Sequence, residues 1–426
     1  MKKSLYQRSL TGLLGIHVCW AAFDLFITTF LVAELIKEAK IAESGYGIVA
    51  LFNMVVYATI FVFFFLFAYI AKRFSCVWCI RAGVAVNVIL VALICFLPNK
   101  LVEYNLLFAV LNGMAGGIFW VGMNPYTRRT MGGTKMVQYQ SYLQVAQATA
   151  KIIFPFTLGM VIHYVSFFVA AILALGVGII LIAFSLLLYE DKRNTVFSVR
   201  RYFTYMKQQK LFKPIAFNFL IQFLRQLFQT CAAIFCVVVL ITHVLDNSFT
   251  LGWLTSAFAA GAITVAMLYR FLKPGKFKTT LFLSMAVLAF LLSLGLLFTV
   301  DTWSIILFQL GAAVCLIIPS IESAKLQLDV MKELGHDKYN TESIVLVEFA
   351  YFLARVIGFG VLFLVFYLDS FSTFRVLAVV FMGAAVICSV LIKLWYRAYG
   401  DAKSQAVQQT HQPVETVPQS QESSGS

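Results

Sequence analysis

The chain has 426 residues, of which 61% are hydrophobic and 12% charged, with a mean hydropathy of +0.88 and a formal net charge of +14. That much apolar surface exceeds what a soluble domain of this length buries, which excludes water as the solvent of the fold. Nucleic acid is excluded as a partner, because the basic residues do not gather on one face with interleaved aromatics but sort by position between apolar runs.

A helix crosses the hydrocarbon layer with about 20 apolar residues, and lipid requires every backbone polar group to be paired internally. The apolar runs lack the alternation of barrel strands, so an all-α polytopic membrane protein is expected. The start, MKKSLYQRSL, imitates a secretory signal, but the apolar stretch passes Leu31 without a small-residue cleavage site and reads as a retained first helix over 10–35. Spans follow at 46–71, 79–97, 104–125, 137–163 and 166–189, completing an N-terminal six-helix bundle over 1–189. Residues 190–213 form a central loop with seven basic and two acidic residues, long enough for a short amphipathic helix. Six more spans, at 214–243, 251–272, 280–299, 303–328, 341–368 and 371–395, make a C-terminal bundle over 214–395. The tail, 396–426, is rich in Gln, Ser, Thr and Pro after Gly400 and is expected to be disordered.

Charge gives the chain a direction. Lys and Arg concentrate at the N-terminus, at the C-terminal end and in every second loop, around Lys72 and Arg73, Arg128 and Arg129, the central loop, Arg270 to Lys278, and Lys325 to Lys338. The alternate loops hold only Lys37, Lys40, Lys100 and Arg375. By the positive-inside rule, both termini and the central loop lie in the cytoplasm and the chain is a multi-pass protein of the cell membrane. The eight cysteines lie mostly within apolar runs and are expected to be reduced packing residues. Cys76 and Cys79 form a lone C-x-x-C, read as incidental packing rather than as a metal or redox pair.

The two halves repeat at an offset of 204 residues: Ala150-Lys151-Ile152-Ile153 returns as Ala354-Arg355-Val356-Ile357, and Gln144 pairs with Glu348. Duplicated bundles of this kind place their substrate site between the halves, near the midplane. With twelve spans, six plus six, a basic central loop and parallel repeats, residues 1 to about 395 resemble the major facilitator superfamily. The basic turn between its second and third helices corresponds here to Ile70-Ala71-Lys72-Arg73-Phe74-Ser75, with Lys72 where an acidic residue is usual and Ser75 where glycine is usual. The arginine that proton-linked members carry in helix four is matched by Ala109, before Asn112-Gly113. The antiporter signature of helix five appears only as Phe154-Pro155-Phe156-Thr157-Leu158-Gly159, so a standard multidrug antiporter is not indicated. The resemblance implies an alternating-access transporter, and the duplicated halves match its twelve-helix fold.

Polar residues inside the spans are the candidate site. Gln140, Gln144, Gln147 and Lys151 are spaced to lie on one face of the fifth helix, and Asn218, Gln222, Arg225 and Gln229 repeat that spacing on the seventh. Helix eleven carries Glu348 and Arg355 on one face, and helix one carries Asp24 near its middle with His17 two turns earlier. An ionisable group at helix centre costs about 2.5–3.5 kcal/mol, so these residues face protein or a water-filled cavity. They either line a central substrate and coupling cavity or tie helices together, for example through fixed Asp24–Arg225 or Glu348–Lys151 pairs. Asp24 and Glu348 are the candidates for proton exchange; His17 is expected to hydrogen-bond, and Glu322 to pair with Lys325. Lys151, Arg225 and Arg355 outnumber the two carboxylates, which suits an anionic or zwitterionic small molecule. Gly113 and Gly117 on helix four are expected to pack closely on another helix of their own bundle. The expectation is a monomeric, proton-coupled secondary transporter without cofactor, in contact with membrane lipids; alternatives are an amphiphile or drug exporter and a non-transporting sensor. Neither a nucleotide-binding glycine loop nor a metal-ligand cluster nor a nucleophile constellation is found, so an enzyme is not expected.

Overall fold

The structure, a computed structural model, describes residues 3–41, 46–97, 100–130, 134–189, 196–208, 212–244, 248–271, 276–333, 339–368 and 371–410. Among the described residues, twelve helices are long and apolar enough to cross a membrane. The first six are α1 (Lys3–Leu25, widened to π geometry over Phe26–Leu31 and continued as Val32–Ile41), α2 (Gly47–Arg73), α3 (Cys76–Phe96), α4 (Asn105–Thr130), α5 (Thr134–Tyr164) and α6 (Phe167–Leu186). A short helix, α7 (Val199–Gln208), lies in the central loop where an amphipathic element was expected. The second six are α8 (Phe212–Gln226, π over Leu227–Cys236, then Val237–Val244), α9 (Ser248–Arg270), α10 (Lys276–Ser293, completed by Gly295–Phe298), α11 (Thr302–Gln309, π over Leu310–Cys315, then Ile317–Glu333), α12 (Asn340–Tyr367) and α13 (Phe371–Thr410).

Side chains set several helix starts. Ser75 caps α3 by accepting from the Val77 N–H, Ser166 caps α6 by accepting from Val169, and Asp301 and Ser304 form a reciprocal capping box at the start of α11. α13 runs on past Trp395 to Thr410, into the stretch expected to lack structure. Arg, Ala, Lys and Gln dominate there and proline is absent until Pro413, so a helix already nucleated in the membrane propagates at little cost. Residues 411–426 of the expected tail, and 190–195 and 209–211 of the central loop, lie outside the described residues.

Within the first bundle α4 packs on α2 and α3, α6 on α1 and α3, and α5 on α1; in the second, α8 packs on α11, α12 and α13, α10 on α11 and α13, and α9 on α11. The bundles meet along α2 with α12 and α5 with α9, and α1 touches α8 at the centre. Gly113 and Gly117 allow the α2–α4 contact: a Cβ at Gly117 would stand 2.5 Å from the Ile60 carbonyl oxygen, and one at Gly113 would meet Val56. Their predicted role in packing within the bundle is thus carried by α2. Between bundles, the α5–α9 crossing brings Gly159 against Gly252, where a Cβ at Gly252 would strike the Pro155 carbonyl.

Candidate functional site

Five ionisable side chains sit near the middle of their helices: Asp24 on α1, Lys151 on α5, Arg225 on α8, and Glu348 and Arg355 on α12. Asp24 is exposed although it lies midway along a span, so its carboxylate borders an internal space and not the packed core. The charges of Lys151 and Arg355 both act on it. These two cations occupy equivalent positions of the 204-residue repeat, so each bundle contributes one of them.

Arg355 is the centre of the network. Its Nε donates to Gln226 Oε1 at 3.0 Å, and its guanidinium pairs with Glu348 at 3.5 Å. The same cation lies over the ring of Tyr57 at 4.4 Å and near that of Tyr351 at 5.3 Å, and because Tyr57 belongs to α2 this contact spans the two bundles. Tyr351 donates towards Gln222 and Gln327, each at 3.3 Å. Gln222 donates to Asn218 at 3.2 Å and to the Ser323 carbonyl at 3.0 Å, which fixes α8 against α11. Arg225 donates from Nε to Gln229 at 2.9 Å and towards Gln222 at 3.4 Å, so its charge is held by neutral amides and not by a carboxylate.

The sequence stripes therefore divide. Asn218 and Gln222 are buried hydrogen-bonding ties, whereas Arg225, Gln229, Glu348 and Arg355 are half-buried and Lys151 is exposed. Gln147 is half-buried on α5; the side chains of Gln140 and Gln144 lie outside the described residues. Neither fixed pair weighed from the sequence forms among the described residues: Glu348 pairs with Arg355 on its own helix instead of Lys151, since two helical turns bring them together. Asp24 makes no ion pair with Arg225. His17 is not the hydrogen-bonder expected; it is buried between Trp120 and Tyr139, with both ring nitrogens unpartnered. Glu322 and Lys325 pair as expected, at 4.0 Å, and Glu322 also accepts from the Tyr269 hydroxyl at 2.6 Å.

Three participants escaped the sequence reading. Gln226 lies next to Arg225 of the α8 stripe, immediately before the π segment, and also accepts from Thr230 at 2.6 Å. Tyr57 and Tyr351 sit in aromatic-rich helices where composition does not single them out; the spacing of Tyr351 from Glu348 and Arg355 was the available signal. At the side carrying the chain's ends, Lys72 on α2 and Glu342 on α12 pair at 2.5 Å, with side chains only 10% and 1% exposed, and Glu342 accepts from the Ser198 N–H ahead of α7 at 3.1 Å. Arg128 at the end of α4 donates to Asn340 at 2.8 Å, adding a second link across the bundles on that side. On the opposite side, Lys37 of α1 reaches Ser248 of α9 at 2.9 Å, and His163, Tyr164 and Phe156 of α5 cluster on Phe249.

The fold is shared with solved transporters. The POT family transporter PepTSo superposes with a TM-score of 0.71 at 7% identity, covering 94% of this chain and 99% of that one. The human organic anion transporter MFSD10 (TETRAN) gives 0.61 at 15% identity, with 91% and 99% covered. The nucleoside transporter NupG gives 0.60 at 12% identity, with 93% and 99% covered. A search of curated proteins returned no significant match. The sequence profile described as Major Facilitator Superfamily matches residues 14–358, across both bundles and the connection between them. The chain belongs to the Major Facilitator Superfamily.

Proposed function

We propose that the protein is a proton-coupled secondary transporter that moves a small anionic or zwitterionic organic molecule across the cell membrane by alternating access. It acts as a monomer with both termini in the cytoplasm, the orientation that the positive-inside rule favours. One observation carries the reading: an accessible carboxylate, Asp24, lies at mid-span within the fields of one cation from each bundle, Lys151 and Arg355. With Arg225 and Glu348 the five midspan charges sum to one excess cation, and among the described residues Arg225 donates to the neutral amides of Gln229 and Gln222. A substrate carboxylate or phosphate would satisfy that excess, with arginine offering a planar fork and lysine a point charge. Proton binding to Asp24 would remove the negative charge that acts on Lys151 and Arg355, which gives the carboxylate a means of biasing one bundle arrangement over another.

The test uses purified protein in liposomes with an imposed pH gradient and panels of labelled organic anions, zwitterions and neutral solutes. Gradient-driven uptake of an anion or zwitterion is expected, lost in Asp24→Asn. Uptake that proceeds equally without the gradient and in Asp24→Asn removes proton coupling; saturable binding without flux removes transport.

A further inference from the structure

Outside the central network, an apolar recess opens on the outer face of the first bundle, between α2 and α3. It has a volume of about 340 Å³ and is lined by Phe67, Ile70 and Phe74 from the end of α2 and its turn, and by Trp78, Cys79 and Ala82 from α3. The α2 residues follow helical spacing, so the groove runs for about 10 Å along the helix axis. Trp78 and Phe74 are 59% and 58% exposed, which leaves the recess open to the surrounding membrane. At its lip Arg73 donates to the Tyr69 hydroxyl, and its guanidinium lies 5.9 Å from the ring of Phe74, itself a wall of the groove. Both contacts are neutral, so the cation keeps its charge. From Ile70 to Ala82 the sequence holds Lys72, Arg73 and Arg81 and no acidic residue.

We infer that this groove binds one acyl chain of an anionic phospholipid, whose phosphate rests on Arg73. An apolar slot with an arginine beside its lip matches a phospholipid in both parts, and the guanidinium held near the rings of Tyr69 and Phe74 sits at the end of the groove where a headgroup would lie. The orientation proposed above puts this end of the helices in the cytoplasmic leaflet, where anionic lipids give the surface its negative potential. The choice of leaflet depends on that orientation; the site itself does not depend on transport. Because Arg73 follows Lys72, which pairs with Glu342, a lipid held here stiffens the segment that joins the bundles on this side.

The experiment is native mass spectrometry and thermal unfolding of the full-length protein in detergent, with phosphatidylglycerol or phosphatidylcholine of identical chains, glycerol phosphate as the headgroup alone, and Arg73→Gln, Ala82→Trp and Trp78→Cys variants. One basic side chain beside an anionic surface is worth about a fivefold preference, so Arg73→Gln is expected to lower the phosphatidylglycerol preference about fivefold. Ala82→Trp, which fills the groove, is expected to lower occupancy by both lipids while the protein still unfolds cooperatively. Equal retention of the two lipids by the wild type, or an unchanged preference in Arg73→Gln, overturns the proposal. Stabilisation by glycerol phosphate alone assigns the site to a free phosphate, and disulfide-linked dimers of Trp78→Cys formed in membranes assign the groove to a second copy of the chain; either result also overturns it.

Discussion

Removing the positive charge at Lys72 should open the bundles on the side of the chain's ends. Lys72 and Glu342 are 2.5 Å apart with side chains 10% and 1% exposed, so water screens the pair little. In Lys72→Met the Glu342 carboxylate keeps the Ser198 N–H but loses its counter-ion in a buried setting. Truncating one partner of a buried pair costs about 3–5 kcal/mol. The cost falls on the closed arrangement alone, because separation of α2 from α12 lets water reach Glu342. The equilibrium should therefore move by roughly two to four decades towards opening. The assay is pulsed electron paramagnetic resonance between spin labels at Phe74, in the α2–α3 turn, and Phe203, on α7, both exposed. The interlabel distance should lengthen in Lys72→Met and recover in part in the charge swap Lys72→Glu with Glu342→Lys. Recovery is partial because a lysine at 342 faces the Ser198 N–H, a donor it cannot use. An unchanged distance distribution in Lys72→Met, or a swap no better than either single variant, refutes the latch.

Gly252→Leu should act on the opposite side, since its side chain must enter the Pro155 carbonyl and Gly159 at the α5–α9 crossing; overpacking there costs about 1–3 kcal/mol and should raise alkylation of a cysteine placed at Phe249. Arg355→Lys should lower transport more than tenfold despite keeping the charge, because the amine replaces a fork that holds Gln226 and Glu348 and stacks on Tyr57; Arg hydrogen bonds of this kind are worth about 1.5–3 kcal/mol each, and uptake assays beside melting curves separate the loss from unfolding. Deletion of Thr28 should convert the π segment of α1 to plain α-helix, leaving or raising the melting temperature while uptake is lost.

The helices were legible because lipid punishes any unpaired backbone, so the apolar runs could form little else. The 204-residue repeat likewise placed Lys151 and Arg355 at equivalent positions of the two halves. What remained hidden was pairing. Lys151 was one example of a fixed partner for Glu348, whereas its own helix presents Arg355 two turns away, and a local partner on a rigid helix outcompetes a distant one. His17 was expected to hydrogen-bond because isolated imidazoles usually do; its surroundings, Trp120 and Tyr139, lie far off in sequence. Lys72 stands where the family's turn usually carries an acid; in the structure it pairs with Glu342 on α12, and nothing within residues 70–75 could announce a partner 270 positions away.

The π segments explain how so few charges can control so large a pair of bundles. Phe26–Leu31 begins two residues after Asp24, and Leu227–Cys236 begins two residues after Arg225, so α1 and α8 each change pitch immediately beyond a midspan charge. The two segments touch at the centre of the molecule. A π turn carries wider, less regular hydrogen bonding than an α turn, and backbone carbonyls near it are available to side chains, as where the Thr28 hydroxyl donates to the Asp24 carbonyl at 2.6 Å; beside the second segment the Thr230 hydroxyl donates to the Gln226 side-chain oxygen at 2.6 Å, the same oxygen that holds Arg355. Each half of α1 and of α8 can then tilt about its wide turn without breaking a continuous α ladder. Rearrangement of charge around Arg355 is transmitted to the pivot of α8 through Gln226, and a change at Asp24 reaches the pivot of α1 through its own peptide. On the alternating-access reading proposed above, the polar network and these two π segments would act together, with the Lys72–Glu342 pair and the Gly159–Gly252 crossing at opposite ends of the bundle contact.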